Sequence, residues 1–501
     1  MKIWAYLLAI TCIFALLSTS FGEEGATPPA AGEQGSAPSV TGPQEASPPV
    51  EEGEGPEVAA PPLEGTQEAP PPAAAPQEPS PFVMSPQGSS PLTLQESIEI
   101  ALQKSPTLQA AQGAIKEAKF RRLGAVSDFL PQVSTQYSYT RLDEAPYFGV
   151  PPLIPKTQIG TRDVYNWTST VTQPVFTGGA LINSYLLAKL GVDTAKVEFE
   201  WAQLDLILNV KESYYGVLKA EKVLEVAEQA VEQLESHHTV AQAFFDVGMI
   251  PKNDLLQVEV QLAQARQDLI RAQNGLEVAR AVFNTLLRRD INEVVSLVET
   301  LEYMPMVVDV ARFTEEAYQE RPELKAAELG VKSAKKGVGL AVSGLFPQAS
   351  IVFTYERQGD DYTVSGSQYE PDKDSWYVMA VAQWNVWDWG KTLWGVGESK
   401  AKVFQAECAL EEIKDGVRLE VREASLRVME AEKNIQVAET AVSQAEENFR
   451  ITEEQYKEQV ATSTDVLDAL TLLTQARTNY YNALGDYNLA RARLRRAMGN
   501  R

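Results

Sequence analysis

Cysteine and histidine are almost absent, with 2 of each among 501 residues. Thiolate and imidazole serve most metal sites and many nucleophilic active sites, so this shortage excludes most of that chemistry. Cys12 falls in an N-terminal apolar run, and the Cys408 that remains cannot close an internal disulfide alone. No nucleophile with a base beside it is visible, so an enzyme is not expected. His237 and His238 point to different faces of a helix and have no third ligand; a structural role is expected, with no metal and no cofactor. Beyond the N-terminus no stretch reaches about 18 consecutive apolar residues, so no transmembrane helix is expected. Entry into a membrane then requires a β-barrel, the other structure that satisfies every backbone group in lipid.

Basic residues are scarce as well: 44 Lys and Arg against 68 Asp and Glu, a net charge of −24. Binding nucleic acid requires a basic face, so no nucleic-acid partner is expected. The charge is unevenly spread. Residues 23–91 hold 17 of the 29 prolines and 11 glutamates, with no Lys or Arg. Such a tract buries too little apolar surface to offset its ordering entropy, and reads as a disordered acidic tail. Ahead of it, Lys2, the apolar run Ile3 to Leu17 and small residues up to Gly22 form the pattern of a secretory signal peptide over 1–22. Export from the cytoplasm is expected.

The rest of the chain is a tandem duplication. Ser105 to Arg141 aligns without gaps to Arg321 to Arg357, 216 residues later, with identities that include Pro106/Pro322, Lys119/Lys335, Pro131/Pro347 and Tyr139/Tyr355. Asp254-Leu255-Leu256 likewise matches Asp465-Val466-Leu467. The expected units are a first repeat at 92–290, a connecting equatorial segment at 291–312 and a second repeat at 313–497.

Each repeat opens with a helix that Pro131 or Pro347 stops. An alternating stretch follows, with Val133, Thr135, Tyr137 and Tyr139 on one face and Ser134, Gln136, Ser138 and Thr140 on the other. The second copy has Ala349, Ile351, Phe353 and Tyr355 opposite Ser350, Val352, Thr354 and Glu356. Period two, apolar outward and polar inward, is the pattern of a transmembrane strand. A loop and a second strand complete each half, giving four strands per chain. Four cannot close a barrel, so the chain must oligomerise; three copies give twelve strands with room for a lumen, whereas eight strands are filled by side chains. Trp376, Trp384, Trp387, Trp389 and Trp394 are expected at the end of the fourth strand and suit an aromatic girdle facing outer-membrane lipid.

Proline is missing between Pro174 and Pro251 and after Pro371. A helix over 180–247 would be roughly 100 Å long at 1.5 Å per residue, which argues for a coiled coil. Ala424, Ala431, Ala438 and Ala445 recur every seventh residue, interleaved with Val428, Ile435, Val442 and Phe449; the first half offers Leu224, Ala227, Val231, Leu234, His238, Ala241 and Phe245. A seven-residue repeat sets a left-handed supercoil. Each long helix turns back at a short tip, Val247 to Asp254 or Val460 to Asp465. A barrel joined to such hairpins describes a conduit.

The duplication, the Phe129-Leu130-Pro131-Gln132 and Leu345-Phe346-Pro347-Gln348 strand starts, the Val247-Gly248-Met249 tip and the Tyr456…Asp465-Val466-Leu467-Asp468-Ala469 segment resemble the TolC family of outer-membrane efflux proteins over about 92–497. The resemblance implies a homotrimer, mainly α, with a twelve-stranded transmembrane β-barrel continuous with a periplasmic α-helical barrel of antiparallel coiled coils. It implies docking on a periplasmic adaptor (membrane fusion) protein and an inner-membrane RND, ABC or MFS pump, for passive efflux or type I secretion. Asp465 and Asp468 match the aspartates of the family's pore constriction, and Asp254 and Tyr456 match gate partners. The tip residues Val247, Gly248, Met249, Ile250, Pro251, Val460, Ala461, Thr462 and Ser463 match where adaptors bind. Ala461 stands where the family has an arginine and Gln459 where it has a glycine, which implies a differently latched entrance. The competing reading is a periplasmic coiled-coil scaffold anchored at the outer membrane without transport, which bilayer conductance separates from a channel.

Overall fold

The computed structural model describes residues 91–150, 152–369, 371 and 374–500. The expected signal peptide and nearly all of the acidic tail lie outside the described residues.

The first repeat contains α1 (Leu94–Lys104), α2 (Pro106–Ser127), β1 (Gln132–Arg141), a small hairpin of β2 (Tyr147–Phe148) and β3 (Thr157–Gln158), β4 (Asp163–Phe176), α3 (Ala180–Asp246) and α4 (Lys252–Leu287). The second contains α5 (Val310–Glu320), α6 (Pro322–Ser343), β5 (Gln348–Gly359), β6 (Asp374–Gln383), α7 (Lys391–Lys457) and α8 (Ser463–Ala497). The helix α1 starts in a capping box between Thr93 and Glu96. Ser105 caps α2, and Pro106 takes the first helical position, where its missing N–H costs nothing. Pro131 and Pro347 stand just ahead of β1 and β5, as the sequence requires.

The four long strands form one antiparallel sheet in the order β1-β4-β5-β6. Its register aligns Tyr137 with Trp167, Tyr139 with Tyr165, Val171 with Phe353 and Tyr355 with Trp376, all on one aromatic and aliphatic face. The opposite face carries Ser134, Gln136, Thr168, Thr354 and Glu356; there the Asn166 amide donates to Glu356 Oε1 at 2.6 Å. Among the described residues, β1 and β6 each pair with a single neighbour in this sheet, so each leaves one edge of backbone groups free.

Both α3 and α7 run for 67 residues, about 100 Å at 1.5 Å per residue. Each follows a residue pair in the left-handed region, Gly178-Gly179 or Trp389-Gly390. The seam of α7 matches its heptads: Ala424, Val428, Ala431, Ile435 and Ala438 are buried. The seam of α3 differs from expectation. Val226, Ala230, Leu234, His237 and Ala241 are buried, and His238 is not. The cause is a second partner, because Leu234 and Ala241 share a core with Leu255, Val258 and Leu262 of α4 and with Leu467 and Leu470 of α8. A helix packed on two sides buries a wider stripe than a two-stranded seam.

Midway along the long helices a larger core gathers Val210, Tyr214, Val217, Phe283, Val421, Val428 and Tyr487. The segment after α4 crosses it: Leu92 bridges Leu297, and the Glu299 carboxylate accepts from Leu94 N and the Tyr214 hydroxyl. Arg321, at 5% exposure, binds Glu323 at 3.0 Å and Glu420 at 2.5 Å, while Arg496 binds Glu323 at 2.7 Å and Asp205 at 2.7 Å. These contacts tie α6, α7, α8 and α3 together. Burial would raise the Glu323 carboxyl, but its bonds to Arg321 and Arg496 hold it down at about 2.

Candidate functional site

The two tips lie side by side. After α3 the chain reverses at Gly248, whose φ of 77° suits a residue without Cβ. Gly248 N donates to Phe245 O at 2.8 Å and Met249 N to Phe244 O at 2.8 Å, which closes the helix end. Pro251 then stands immediately before α4. After α7 the same reversal falls on Gln459, with φ of 63°, a conformation costing a residue with a Cβ about 1 kcal/mol or more. The Gln459 amide reaches Met249 Sδ at 3.3 Å and so joins the second tip to the first. Val247, Met249 and Val460 expose their side chains.

Thr462 caps α8 and forms a capping box with Asp465: Thr462 N and Oγ1 lie 2.8 and 2.7 Å from Asp465 Oδ2. The Thr462 hydroxyl and backbone hold the Asp465 carboxyl below its ordinary range. Asp468, one turn further on, is exposed on the same side of the helix and lines a cleft of about 440 Å³ with Asn253, Gln257 and Thr464. The Thr464 hydroxyl meets Gln257 Oε1 at 3.1 Å, joining α8 to α4.

Tyr456 is buried at 3% exposure, with its ring 4.9 Å from His237 and 5.4 Å from Phe244. Its hydroxyl is buried beside Ser463 and within electrostatic reach of Asp254, but makes no well-formed hydrogen bond. Burial raises its pKa, and the Asp254 charge adds to the rise. Ser463 is engaged instead by His237, Nε2 to Oγ at 3.0 Å. Burial pushes the His237 imidazole down to about 4, against the pull of Glu453 and with the push of His238. His238, expected on the seam, is half-buried, with Nε2 3.8 Å from Glu259. The His237–Ser463 contact leaves no local signal in the sequence, because its partners stand 226 residues apart.

The tryptophans divide into two groups. Trp376 stands near the start of β6, not its end, with its ring 6.3 Å from Phe353. Trp384, Trp387, Trp389 and Trp394 follow the other end, where Trp384 Nε1 donates to Leu345 O at 3.1 Å and the Trp387 and Trp389 rings are 5.7 Å apart. All five are more than half exposed. Among the described residues, no cluster of three or more His, Cys, Asp or Glu could hold a metal, and no helix is long and apolar enough to cross a membrane.

A sheet with one apolar face, continuous with two hairpins of long helices, is the fold of a membrane-channel protomer. The sequence model described as "Outer membrane efflux protein" matches residues 97–287 and 314–500, and the chain belongs to that family. It is 24% identical over 427 residues to "Outer membrane protein TolC" of Vibrio cholerae serotype O1, covering 81% of this chain and 90% of that relative. Among solved structures it resembles the CmeC outer membrane channel of Campylobacter jejuni (TM-score 0.70, 17% identity, 81% of this chain and 85% of the other). The open state of the Neisseria gonorrhoeae MtrE outer membrane channel aligns with TM-score 0.68 and 19% identity over 81% of this chain and 89% of the other. At such identities the structural likeness is one of fold. Family membership makes the protein an outer-membrane transport protein that extends into the periplasm.

Proposed function

We propose that three copies assemble into an outer-membrane duct that serves a tripartite efflux or type I secretion system, passing substrates passively across the periplasm and the outer membrane. The observation that carries this reading is the four-stranded sheet whose two outer strands each keep a free edge beneath an apolar face. A free edge in lipid leaves backbone groups unsatisfied at several kcal/mol each, and three copies pair every edge in a twelve-stranded barrel. Trp376 at one end of β6 and Trp384 to Trp394 at the other are separated by about the height of an apolar band, roughly 25 Å, and form its aromatic belts.

In this reading the helical hairpins continue the duct and the tips form its entrance. Asp465 and Asp468 of three copies ring the pore mouth with six carboxylates, and Asp254 and Tyr456 belong to the gate. Because Tyr456 packs against His237 and Gln459 reaches Met249, the closed tips are held within each protomer as well as between protomers. The exposed Val247, Met249 and Val460, with Gly248, Ile250, Pro251, Ala461, Thr462 and Ser463, offer the docking surface for a periplasmic adaptor coupled to an RND, ABC or MFS pump. In-cell cross-linking from Met249 or Thr462 is expected to capture an adaptor and its pump; recovery of neither would remove the tripartite part of the reading.

A further inference from the structure

Midway along the long helices, α3, α8 and the segment after α4 enclose a cavity of about 440 Å³ lined by Lys211, Tyr215, Arg491, Arg495, Glu299 and Glu302. Lys211 is 8% exposed and makes no hydrogen bond or ion pair among the described residues. Its nearest charged influence is of the same sign: after burial itself, Arg495 disfavours the charged ammonium. Arg491 Nε is buried without a hydrogen-bond partner, and its guanidinium lies 5.7 Å from the centre of the Tyr487 ring. The Tyr215 hydroxyl is within electrostatic reach of both Arg491 and Arg495.

The acids nearby are already engaged. Glu299 accepts from Leu94 N at 3.0 and 3.1 Å and from the Tyr214 hydroxyl. Glu302 Oε1 accepts from Thr300 Oγ1 at 3.0 Å, and Glu212 pairs with Arg493 at 2.9 Å. Three cationic side chains therefore converge on one cavity without an ion pair among the described residues, and they outnumber the two carboxylates, Glu299 and Glu302, that share its lining. Of the three, Lys211 is buried, Arg491 half-buried and Arg495 exposed; like charges gathered at a partly buried site disfavour one another, and arginine cannot relieve the conflict by losing its proton. An anion relieves it.

We propose that this cavity binds a small soluble oxyanion, a phosphate or carboxylate compound, one per protomer, through Lys211, Arg491 and Arg495 with the Tyr215 hydroxyl as a further donor. Guanidinium groups take phosphate and carboxylate oxygens in paired hydrogen bonds, and the ammonium adds a point charge. The volume accommodates more than inorganic phosphate and falls in the range of small-ligand sites, so organic phosphates and polycarboxylates fit the same chemistry. Lys211 stands 31 residues into α3, roughly 45 Å along the axis from the sheet, too far for the headgroup of a lipid surrounding the barrel. Because the cavity is walled on one side by residues 298–304, a bound anion pins that segment against α3 and α8.

The test uses the purified full-length protein in detergent, titrated with inorganic phosphate and, separately, citrate at constant ionic strength in a calorimeter. Saturable binding near one anion per protomer is expected, with a rise in the thermal midpoint that follows ligand concentration. Lys211→Met is expected to weaken binding at least tenfold. The substitution removes a buried charge that has no ion-pair partner among the described residues, so the variant folds, with a midpoint in the absence of either anion no lower than that of the parent. A structure determined in phosphate is expected to hold the anion at Lys211 Nζ. The proposal is overturned by an absence of saturable binding for both anions, by equal binding to Lys211→Met, or by a carboxylate of a neighbouring copy at Lys211 Nζ.

Discussion

His237 Nε2 lies 3.0 Å from Ser463 Oγ in a buried contact that joins the far end of α3 to the first residue of α8. The ring also packs on Tyr456, and the charged or titratable groups that influence it are Glu453 and His238. Its pKa falls from 6.5 to about 4, chiefly through burial. A depressed histidine contributes its stability above 6.5 and loses it as pH falls through 4, because the opened state takes up the proton first. Hydrogen-exchange protection factors, corrected for the intrinsic pH dependence of amide exchange, are therefore expected to fall over residues 455–470 between pH 6.5 and 4. His237→Gln, which keeps a hydrogen-bonding group without a titration, is expected to flatten the profile; the same acid response in both proteins would dissociate the contact from tip opening.

The Thr462–Asp465 capping box gives the second tip a stability role apart from any pore role. Thr462→Ala is expected to cost about 1 kcal/mol, read as a lower denaturation midpoint. Asp468 makes no hydrogen bond among the described residues, so Asp468→Asn is expected to leave that midpoint unchanged while lowering cation selectivity severalfold. Equal destabilisation by the two variants would contradict this division of labour.

Glu323 serves two buried arginines, Arg321 and Arg496, and is held at about 2 by them. Its depressed pKa means that it stabilises the fold above about 4.5, and that this contribution is lost as pH falls towards 2. Glu323→Gln leaves two buried guanidinium groups facing an amide, and a loss of about 3 kcal/mol is expected. Chemical denaturation at neutral pH measures it, and a change under about 0.5 kcal/mol, the scale of an ordinary surface substitution, would show the network to be incidental.

Gly178 and Trp389 occupy matching places before the two long helices, at φ of 62° and 57°. A Cβ on Gly178 would stand 2.5 Å from Ser343 O. Gly178→Ala is therefore expected to cost more than the 1–2 kcal/mol of the left-handed region alone, roughly 2 kcal/mol or above. A neutral effect on thermal stability would contradict the close approach of this turn to α6.

Much of the fold was legible in the sequence because its signals are periodic or repeated. The alternation from Val133 to Tyr139 anticipated the two faces of the sheet, and the alanine heptads anticipated the α7 seam. Helix bounds followed Pro106, Pro322 and the proline-free stretches after Pro174 and Pro371. The phase of α3 was not legible, since His237 rather than His238 is buried by the combined packing of α4 and α8, and no local pattern records a second partner. Nor was the order along β6: five tryptophans close in sequence stand at both ends of one strand, because ten extended residues span a distance that composition does not express. At the tips, the resemblance implies a pore role for Asp465, and the structure adds its place in the cap of α8. The Gln459–Met249 and His237–Ser463 contacts, by contrast, join residues more than 200 positions apart.

The central claim is that three protomers close a conducting duct, and single-channel recording of the purified protein in planar bilayers tests it most directly. The account predicts a stable trimer with discrete, cation-favouring conductance that loses its selectivity when Asp465 and Asp468 are neutralised together and that rises when Asp254→Ala loosens the gate. A correctly folded, membrane-inserted protein that passes no current at any voltage would contradict the account and favour the scaffold instead.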